Sequence, residues 1–205
     1  MISRRLFMTA SVAVAMAAAG PSIASADPVA DAEAFVNDQG QELLGILAMP
    51  TGDGRRDAFR IWVDNAFDLQ LVGKLALGPY LQQATPEQLD AYLQAFNDYI
   101  VVTYEARFDT FSGYQLKVLR GRPAGSTDSV VQTVVSSGND TYNVDFRVRH
   151  DDDSDLDVID VVVNDMSMLK TQREEFSSVI QRNGLDGLIS GLKQRATEIE
   201  AQAGG

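Results

Sequence analysis

The sequence predicts an α+β fold in a single domain, with a four-stranded antiparallel sheet and N- and C-terminal helices packed on its apolar face. The prediction depends on two changes of hydrophobic period. Apolar residues recur at helical intervals before Gly113 and again after Thr171, whereas between these points they alternate with polar residues as in strands. Helices on both sides of a block of strands are typical of a sheet with one face buried under helices.

Three helices are predicted in the first part of the chain. The apolar spacing indicates helices at residues 29–48, around residues 59–66 and at residues 69–77. Gly40 weakens the first of them, because glycine is unfavourable inside a helix. The third helix is expected to stop at Gly78 and Pro79, which are helix-ending residues.

The fourth helix has the clearest start signal in the chain. Thr85 can cap it, Pro86 occupies the first helical position, and Gln88 lies three residues after the cap to complete a capping box. From Leu89 to Phe108 the apolar residues form one wide stripe. Such a stripe has to be covered by another element.

Four strands and a final helical region follow. Alternating or β-branched runs predict strands around residues 114–118, 130–135, 142–148 and 158–163. Turn residues predict the connections at residues 120–123, 137–140 and 151–155. A helix is expected from Thr171, with a break at Asn183 and Gly184.

Residues 1–26 resemble a cleaved export signal. Arg4 and Arg5 precede an apolar run, residues 6–19, that is too short to span a bilayer, and Ala24–Ala26 provides small residues for signal peptidase. The two arginines are similar to those of a twin-arginine signal, with general secretory export as the alternative. We expect cleavage after Ala26, a mature domain over residues 27–205, and a soluble periplasmic protein.

Charge and cysteine content narrow the function classes. The chain has a net charge of −12, and without residues 1–26 it has 15 basic and 29 acidic residues, a net charge of −14. Nucleic-acid binding and adhesion to an anionic membrane both require a basic face, so this balance argues against them. The absence of cysteine excludes thiol catalysis and thiolate metal sites.

The sequence contains little that points to catalysis, a cofactor or a metal. His150 is the only histidine, and it precedes an acidic run in which alternate positions suggest calcium ligands, namely Asp151, Asp153, Asp155 and Asp157. However, Leu156 stands where a calcium loop requires glycine, and Val162 where it requires glutamate. The chain has no G-x-S-x-G elbow, phosphate-binding glycine loop or dinucleotide fingerprint. We therefore predict no catalytic residue, no metal and no cofactor.

Several sequence pieces, in a fixed order, suggest a family. They are Gly73, Pro79–Tyr80, Ala84–Gln88, Phe96, Tyr104, Gly113, the run VIDVVVNDMSMLKTQREEF from Val158, and NGLDGLISGL from Asn183. In order and separation these pieces resemble the MlaC family of periplasmic phospholipid carriers, also known as toluene-tolerance proteins. The resemblance covers most of the chain after residue 26.

The resemblance implies a cavity between sheet and helices that holds the acyl chains of a phospholipid, with the head group at the opening. The lining residues expected from it are Leu71, Leu75, Phe96, Tyr99, Val144, Phe146, Val161, Val163 and Met168. From periodicity alone, a solid core is the favoured interpretation of the same apolar residues. Useful cations near the opening or at an acidic docking surface would be Arg120, Arg122, Lys170 and Arg173.

The resemblance also implies a function and partners. A monomeric carrier would shuttle lipid between an outer-membrane lipoprotein complex and an inner-membrane ABC transporter with its substrate-binding ring, and so maintain the lipid asymmetry of the outer membrane. It would not be an enzyme. The alternatives are a carrier of hopanoid or another apolar lipid, a cup-shaped periplasmic enzyme, and a lipid-free scaffold.

Overall fold

The computed structural model describes residues 27–108, 113–150 and 155–203. The predicted export signal and Asp151–Ser154 of the acidic run, with the calcium ligands suggested there, lie outside these residues. The helices are α1 (Pro28–Leu47), α2 (Asp53–Ala66), α3 (Leu69–Leu77), a 3₁₀ helix (Gly78–Gln83), α4 (Pro86–Phe108) and α5 (Met168–Ala203). The strands are β1 (Gln115–Pro123), β2 (Asp128–Ser137), β3 (Asp140–His150), β4 (Leu156–Val163) and β5 (Met166–Ser167).

Capping side chains fix the starts of α3 and α4. The Asp68 carboxylate accepts a hydrogen bond from the Leu71 N–H at 2.8 Å and so starts α3. At the start of α4 the predicted capping box is confirmed: the Gln88 N–H donates to Thr85 Oγ1, and the Thr85 N–H donates to Gln88 Oε1, each at 3.2 Å. The predicted end of α3 is also confirmed, because Gly78 has a positive φ of 55° directly after Leu77.

The sheet is antiparallel throughout and has the strand order β1-β2-β3-β4-β5. The four predicted strands are confirmed, and β5 adds a short fifth. The turn predicted at residues 137–140 is confirmed by the pairing of Ser137 with Asp140 and by the positive φ of Gly138. One face of the sheet packs against the helices, so we call it the inner face.

The turn predicted at Arg120–Pro123 was wrong. These residues belong to β1 and pair with Ser129–Gln132 of β2 after a bulge that follows Val118. The glycine has a packing role instead of a turn role, since a Cβ on Gly121 would lie 2.5 Å from Val29 Cγ1 of α1. Glycine therefore lets α1 come close to the edge of the sheet.

The passage from sheet to final helix uses a tight turn and a shared carboxylate. Asn164 and Asp165 both have positive φ, at 47° and 67°, and connect β4 to β5. Asp160 of β4 then accepts hydrogen bonds from the Ser167 hydroxyl at 2.6 Å and the Leu169 N–H at 3.0 Å. Helix α5 consequently begins three residues before the predicted Thr171, and its predicted break is confirmed by the non-helical Gly184.

The interior contains two apolar clusters. The larger joins the helices around fully buried Tyr92, Phe96 and Phe176, whose rings meet at centroid distances of 5.8–6.1 Å. The smaller consists of Ala32, Val36, Val131 and Val148, where α1 packs directly on the inner face of the sheet. Outside these clusters, β4 also contacts α2, α3 and α5, and Phe67, directly after α2, forms an isolated bridge with Val158.

Candidate functional site

An apolar cavity of about 460 Å³ separates the helices from the inner face of the sheet. The sheet wall consists of Tyr114, Leu116, Val135, Tyr142, Val144, Phe146, Val158, Ile159, Asp160, Val161 and Val163. The helical wall consists of Val36, Gln39, Gly40, Leu43, Leu44, Leu47, Phe59, Trp62, Val63, Ala66, Phe67, Leu69, Val72, Ala76, Phe96, Ile100, Tyr104, Arg107, Met168, Leu169 and Gln172. All five helices contribute to the wall.

The size of the cavity is that of a binding site and not of a packing defect. A single water needs about 10–15 Å³, and sites for small molecules are typically about 300–1,000 Å³. The walls are lined almost wholly by apolar side chains. Empty apolar cavities are costly, because the atoms around them lose van der Waals contacts. A volume this large is therefore best explained by an apolar ligand.

Strand alternation produces the sheet wall. Val144 and Phe146 lie two residues apart on β3 and point to the same face. Their partners on β4 are Val163 and Val161 respectively, so four apolar side chains form a continuous patch. The patch is apolar on the side that faces the helices and contains no hydrogen-bonding side chain.

Aromatic packing holds the opposite wall in place. The Trp62 indole N–H donates to the Gln39 carbonyl at 3.0 Å and so fixes α2 to α1. The Trp62 ring also packs edge-on against Phe67, with centroids 5.7 Å apart. Because the polar end of the indole is satisfied by backbone, the ring can present an apolar surface to the cavity.

Two polar side chains of the wall, those of Tyr104 and Arg107, lie near the end of α4. Arg107 is exposed in the last turn of α4, and its guanidinium carbon lies 5.6 Å from the centre of the Tyr104 ring. Burial raises the pKa of Tyr104, so its phenol is neutral at physiological pH. Arg107 and Asp160 are the only charged residues among the described residues that line the cavity.

The fold and the cavity agree with the family and the proteins to which the sequence is similar. The sequence model described as MlaC protein matches residues 39–194, about three quarters of the 205 residues. The chain belongs to the MlaC family. Membership confirms the resemblance in the sequence.

Two individual MlaC-like proteins extend the comparison. The intermembrane phospholipid transport system binding protein MlaC of Haemophilus influenzae is 22% identical over 135 residues, which are 64% of this chain and 63% of that protein. The chain thus spans slightly less than two thirds of that relative. A phospholipid-binding protein from Ralstonia solanacearum, solved in complex with a phospholipid, has a TM-score of 0.70 at 23% identity, over 82% of this chain and 98% of that chain. This likeness shows a shared fold.

Six of the nine lining residues expected from the MlaC resemblance lie in the cavity wall. They are Phe96, Val144, Phe146, Val161, Val163 and Met168. Leu71, Leu75 and Tyr99 do not lie there. On α3 the wall is formed by Leu69, Val72 and Ala76, so Leu71 and Leu75 occupy a different side of the same helix.

The four cations expected near an opening do not line the cavity. The Arg120 Nε donates to Gln132 Oε1 at 2.6 Å on the sheet, and the Arg173 Nε donates to the Leu75 carbonyl at 2.9 Å. Lys170 and Glu174 form a loose, exposed i,i+4 ion pair at 3.9 Å. Sequence reasoning missed Arg107, although it continues the face of α4 that carries Phe96, Ile100 and Tyr104.

His150 lies outside the cavity. Its Nε2 is 3.2 Å from Ser129 Oγ, an arrangement that superficially resembles a catalytic pair. Ser129 is only 1% exposed, so no substrate can reach its hydroxyl. The histidine therefore joins the ends of two strands, and its position offers no catalytic function.

A buried ion-pair cluster next to His150 was not expected from the sequence. Asp128 is 2% exposed at its side chain and accepts hydrogen bonds from Arg147 Nε at 2.7 Å and Arg149 Nε at 2.8 Å. Burial alone would raise the pKa of Asp128, but the two guanidinium groups outweigh it and lower that pKa. The cluster ties β2 to β3 on the face opposite the cavity.

Two further findings concern metals and membranes. Within residues 27–108, 113–150 and 155–203, histidines and carboxylates do not converge in any group of three that could hold a metal ion. No helix in the described part of the chain is long and apolar enough to cross a membrane.

Proposed function

We propose that this protein is a periplasmic carrier that encloses the acyl chains of a phospholipid and transports the lipid between the outer and inner membranes. The observation that supports this function best is the apolar cavity of about 460 Å³ beneath β3 and β4. Its apolar walls match a hydrocarbon ligand, and Arg107, the one cation among the described residues that line it, lies at the exposed end of α4.

The energetics of exposure explain why such a carrier is needed. Burial of one methylene group is worth about 0.8 kcal/mol, so two acyl chains with roughly thirty carbons would cost more than roughly 20 kcal/mol to expose to water. Unassisted transfer across an aqueous compartment is therefore negligible. A carrier with an apolar lining keeps loading and unloading nearly balanced, and no covalent bond has to be made or broken.

The relatives support the choice of ligand. The Ralstonia protein shares the fold and was solved with a phospholipid, and the Haemophilus protein is named for intermembrane phospholipid transport. We transfer phospholipid binding to this chain because its own cavity has suitable walls. The six predicted residues that lie in those walls, from Phe96 to Met168, are proposed as acyl-chain contacts.

The proposal includes a location and partners. Residues 1–26 would direct export and be removed, which would release a soluble periplasmic monomer beginning at Asp27. An inner-membrane ABC transporter with its substrate-binding ring and an outer-membrane lipoprotein complex would exchange lipid with it. The direction of transport would then depend on these partners, because the carrier itself consumes no energy.

The direct test is extraction of the protein purified from the periplasm without detergent, followed by mass spectrometry of the lipids. We expect phospholipid at about one molecule per protein. A hopanoid or another polycyclic lipid in place of phospholipid would support the alternative carrier, and protein without any lipid would leave the scaffold interpretation. Edman sequencing of the same sample should begin at Asp27, and normal export of a variant with Arg4→Lys and Arg5→Lys would reject the twin-arginine route.

A further inference from the structure

We propose that the Gln39 side chain accepts a hydrogen bond from the bound lipid, and that the cavity therefore prefers lipids with a donor where the head group joins the chains. Such a donor is a hydroxyl or an amide N–H, as in phosphosphingolipids. This inference rests on the proposed function and narrows the class of phospholipid that the carrier takes.

The side-chain oxygen of Gln39 is buried and has no hydrogen-bond partner. Gln39 lines the cavity from α1, between the apolar wall residues Val36 and Leu43. Among the described residues of the wall, it is the only one with a buried side-chain oxygen or nitrogen that lacks a partner. The oxygen therefore marks one polar position in an otherwise apolar part of the wall.

Two other polar side chains of the wall are occupied within the protein. Both oxygens of Asp160 accept hydrogen bonds, one from the Ser167 hydroxyl and one from the Leu169 N–H. The Gln172 amide donates to Glu175 at 3.3 Å. The oxygen of Gln39 is thus left for a partner that is not part of the chain.

The position of Gln39 is fixed by α2 and lies at the edge of the cavity. Its backbone carbonyl accepts the Trp62 indole N–H at 3.0 Å, which holds this turn of α1 in place. The residue as a whole is half-buried, and Asn37 and Asp38 before it are exposed. The oxygen is therefore enclosed while part of the residue is still at the surface, which is where we expect the junction between the head group and the chains of a lipid.

A ligand is a better partner for this oxygen than a trapped water. A buried acceptor without a partner destabilises a protein, because it has lost its hydrogen bonds to water. A trapped water needs about two to four polar partners. The other wall residues of α1 carry no polar side chain; they are Val36, Gly40, Leu43, Leu44 and Leu47.

An acceptor requires a donor, and this requirement distinguishes two classes of phospholipid. The ester groups of a diacylglycerol phospholipid only accept hydrogen bonds, so they leave the Gln39 oxygen unsatisfied. A phosphosphingolipid has an amide N–H and a hydroxyl in the same region, and either can donate to Gln39 Oε1. Both classes occur with the same phosphocholine head group, so the preference can be separated from head-group recognition.

The experiment offers delipidated protein vesicles of equal amounts of sphingomyelin and phosphatidylcholine with matched acyl chains. Protein is then recovered and its bound lipids are quantified by mass spectrometry. We expect wild type to retain sphingomyelin in about threefold to tenfold excess, as one neutral hydrogen bond provides, and Gln39→Met to reduce the ratio to about one. Gln172→Met is the matched control: it makes the same change in the same wall, where the amide already has a protein partner, and should keep the wild-type ratio.

A second readout distinguishes ligand binding from a structural role of Gln39. Lipid-free Gln39→Met should have a urea midpoint equal to or above that of lipid-free wild type, because the change removes an unsatisfied buried acceptor. A clearly lower midpoint would show that the oxygen stabilises the empty protein through a fixed partner, and it would contradict the inference.

The outcomes separate this inference from the proposed function. No excess of sphingomyelin in wild type, or the same excess in Gln39→Met, would overturn the role of Gln39 while leaving the carrier intact. Wild type that binds neither lipid would reject the proposed function and this inference with it. If Gln39→Met does not fold, sphingomyelin methylated at its hydroxyl and amide groups decides: the wild-type excess has to disappear with it, and an unchanged excess would refute the inference.

Discussion

The inner face of the sheet is filled on one side and hollow on the other. In the closed patch, Ala32 of α1 and Val36, which also borders the cavity, pack on Val131 and Val148 of the sheet, and these two sheet valines are 0% exposed. In the hollow patch, Val144, Phe146, Val161 and Val163 face the cavity. The strands alternate apolar and polar residues in the same way in both places. Alternation therefore predicts which face of the sheet is buried, but it does not predict whether a helix or a cavity lies over that face.

Residue size where helix meets sheet explains part of the difference. On the closed side, Ala32 and Gly121 carry small side chains or none, so α1 approaches the sheet closely near Val29. On the hollow side, the helical wall is built from large residues such as Trp62 and Phe96, which are held by their own aromatic neighbours.

A large effect should come from adding one methyl group on the closed side. A Cβ on Gly121 would lie 2.5 Å from Val29 Cγ1, and the stiff, β-branched valine cannot move away. We expect Gly121→Ala to lower the free energy of unfolding by about 3 kcal/mol, measured by urea denaturation.

Gly40→Ala is the matched control, because it adds the same methyl group on the hollow side. Its Cβ would lie 2.9 Å from Leu116 Cδ1, and Leu116 borders the cavity, so its side chain has space to turn away. We expect a loss below about 1 kcal/mol, partly offset by the better helix propensity of alanine. Equal losses in the two variants would contradict the contrast between the two sides.

A smaller effect is expected behind the closed patch, where Asp128 joins Arg147 and Arg149. Asp128→Asn removes the charge that both guanidinium groups use, and we expect a loss of about 2 kcal/mol at pH 7. The expected loss is moderate because the side chain of Arg147 is 46% exposed, so water solvates part of its charge when Asp128 is replaced.

The lowered pKa of Asp128 sets the pH dependence of this stabilisation. A carboxyl group with a lower pKa in the folded state stabilises the protein above its unfolded pKa of about 3.9, and the stabilisation is lost as the pH falls through the folded value. The difference in urea midpoint between wild type and Asp128→Asn should therefore be constant from pH 7 to about pH 5 and shrink below about pH 4. A difference that persists at pH 2 would show that the charge is not its source.

The smallest effect should be that of His150→Ala. The histidine contacts Ser129 away from the cavity, so bound lipid and transfer rate should equal those of wild type. The free energy of unfolding should change by less than about 1 kcal/mol, since one partly buried hydrogen bond is lost. Loss of function in this variant with normal stability and normal lipid content would instead indicate catalysis.

Local signals in the sequence were enough to predict most of the fold. The capping box at Thr85, the stop at Gly78 and the alternation of β3 all depend on nearby residues, and each was confirmed. The turn predicted around Gly121 failed because glycine also permits close packing between distant elements, which a local pattern does not reveal. The α5 start was displaced for a similar reason, since Asp160 of β4 fixes it.

The site was less predictable than the fold. Leu71 and Leu75 were expected to line the cavity, whereas other residues of α3 form its wall, because a short helix with many apolar residues does not specify which side faces a cavity. Arg107 was overlooked because an arginine in a last helical turn is usually a solvated helix end. Its place on the stripe from Phe96 to Tyr104 was the signal that could have found it.

The contrast between the closed and hollow patches can be tested by replacing valine with tryptophan at two different positions of β3, in two separate variants. Val144 and Val148 lie on the same face of this strand, the first in the cavity wall and the second in the closed patch. The measurement is the urea midpoint together with phospholipid retained per protein, for Val144→Trp and Val148→Trp.

We predict that Val148→Trp loses about 3 kcal/mol or more, because the ring overpacks a filled region, whereas Val144→Trp stays within about 1 kcal/mol of lipid-free wild type. Val144→Trp should nevertheless lose its phospholipid, since the ring occupies the space of the acyl chains. A Val144→Trp variant that is destabilised as much as Val148→Trp, or that retains phospholipid at the wild-type level, would contradict the account of a hollow patch that holds lipid.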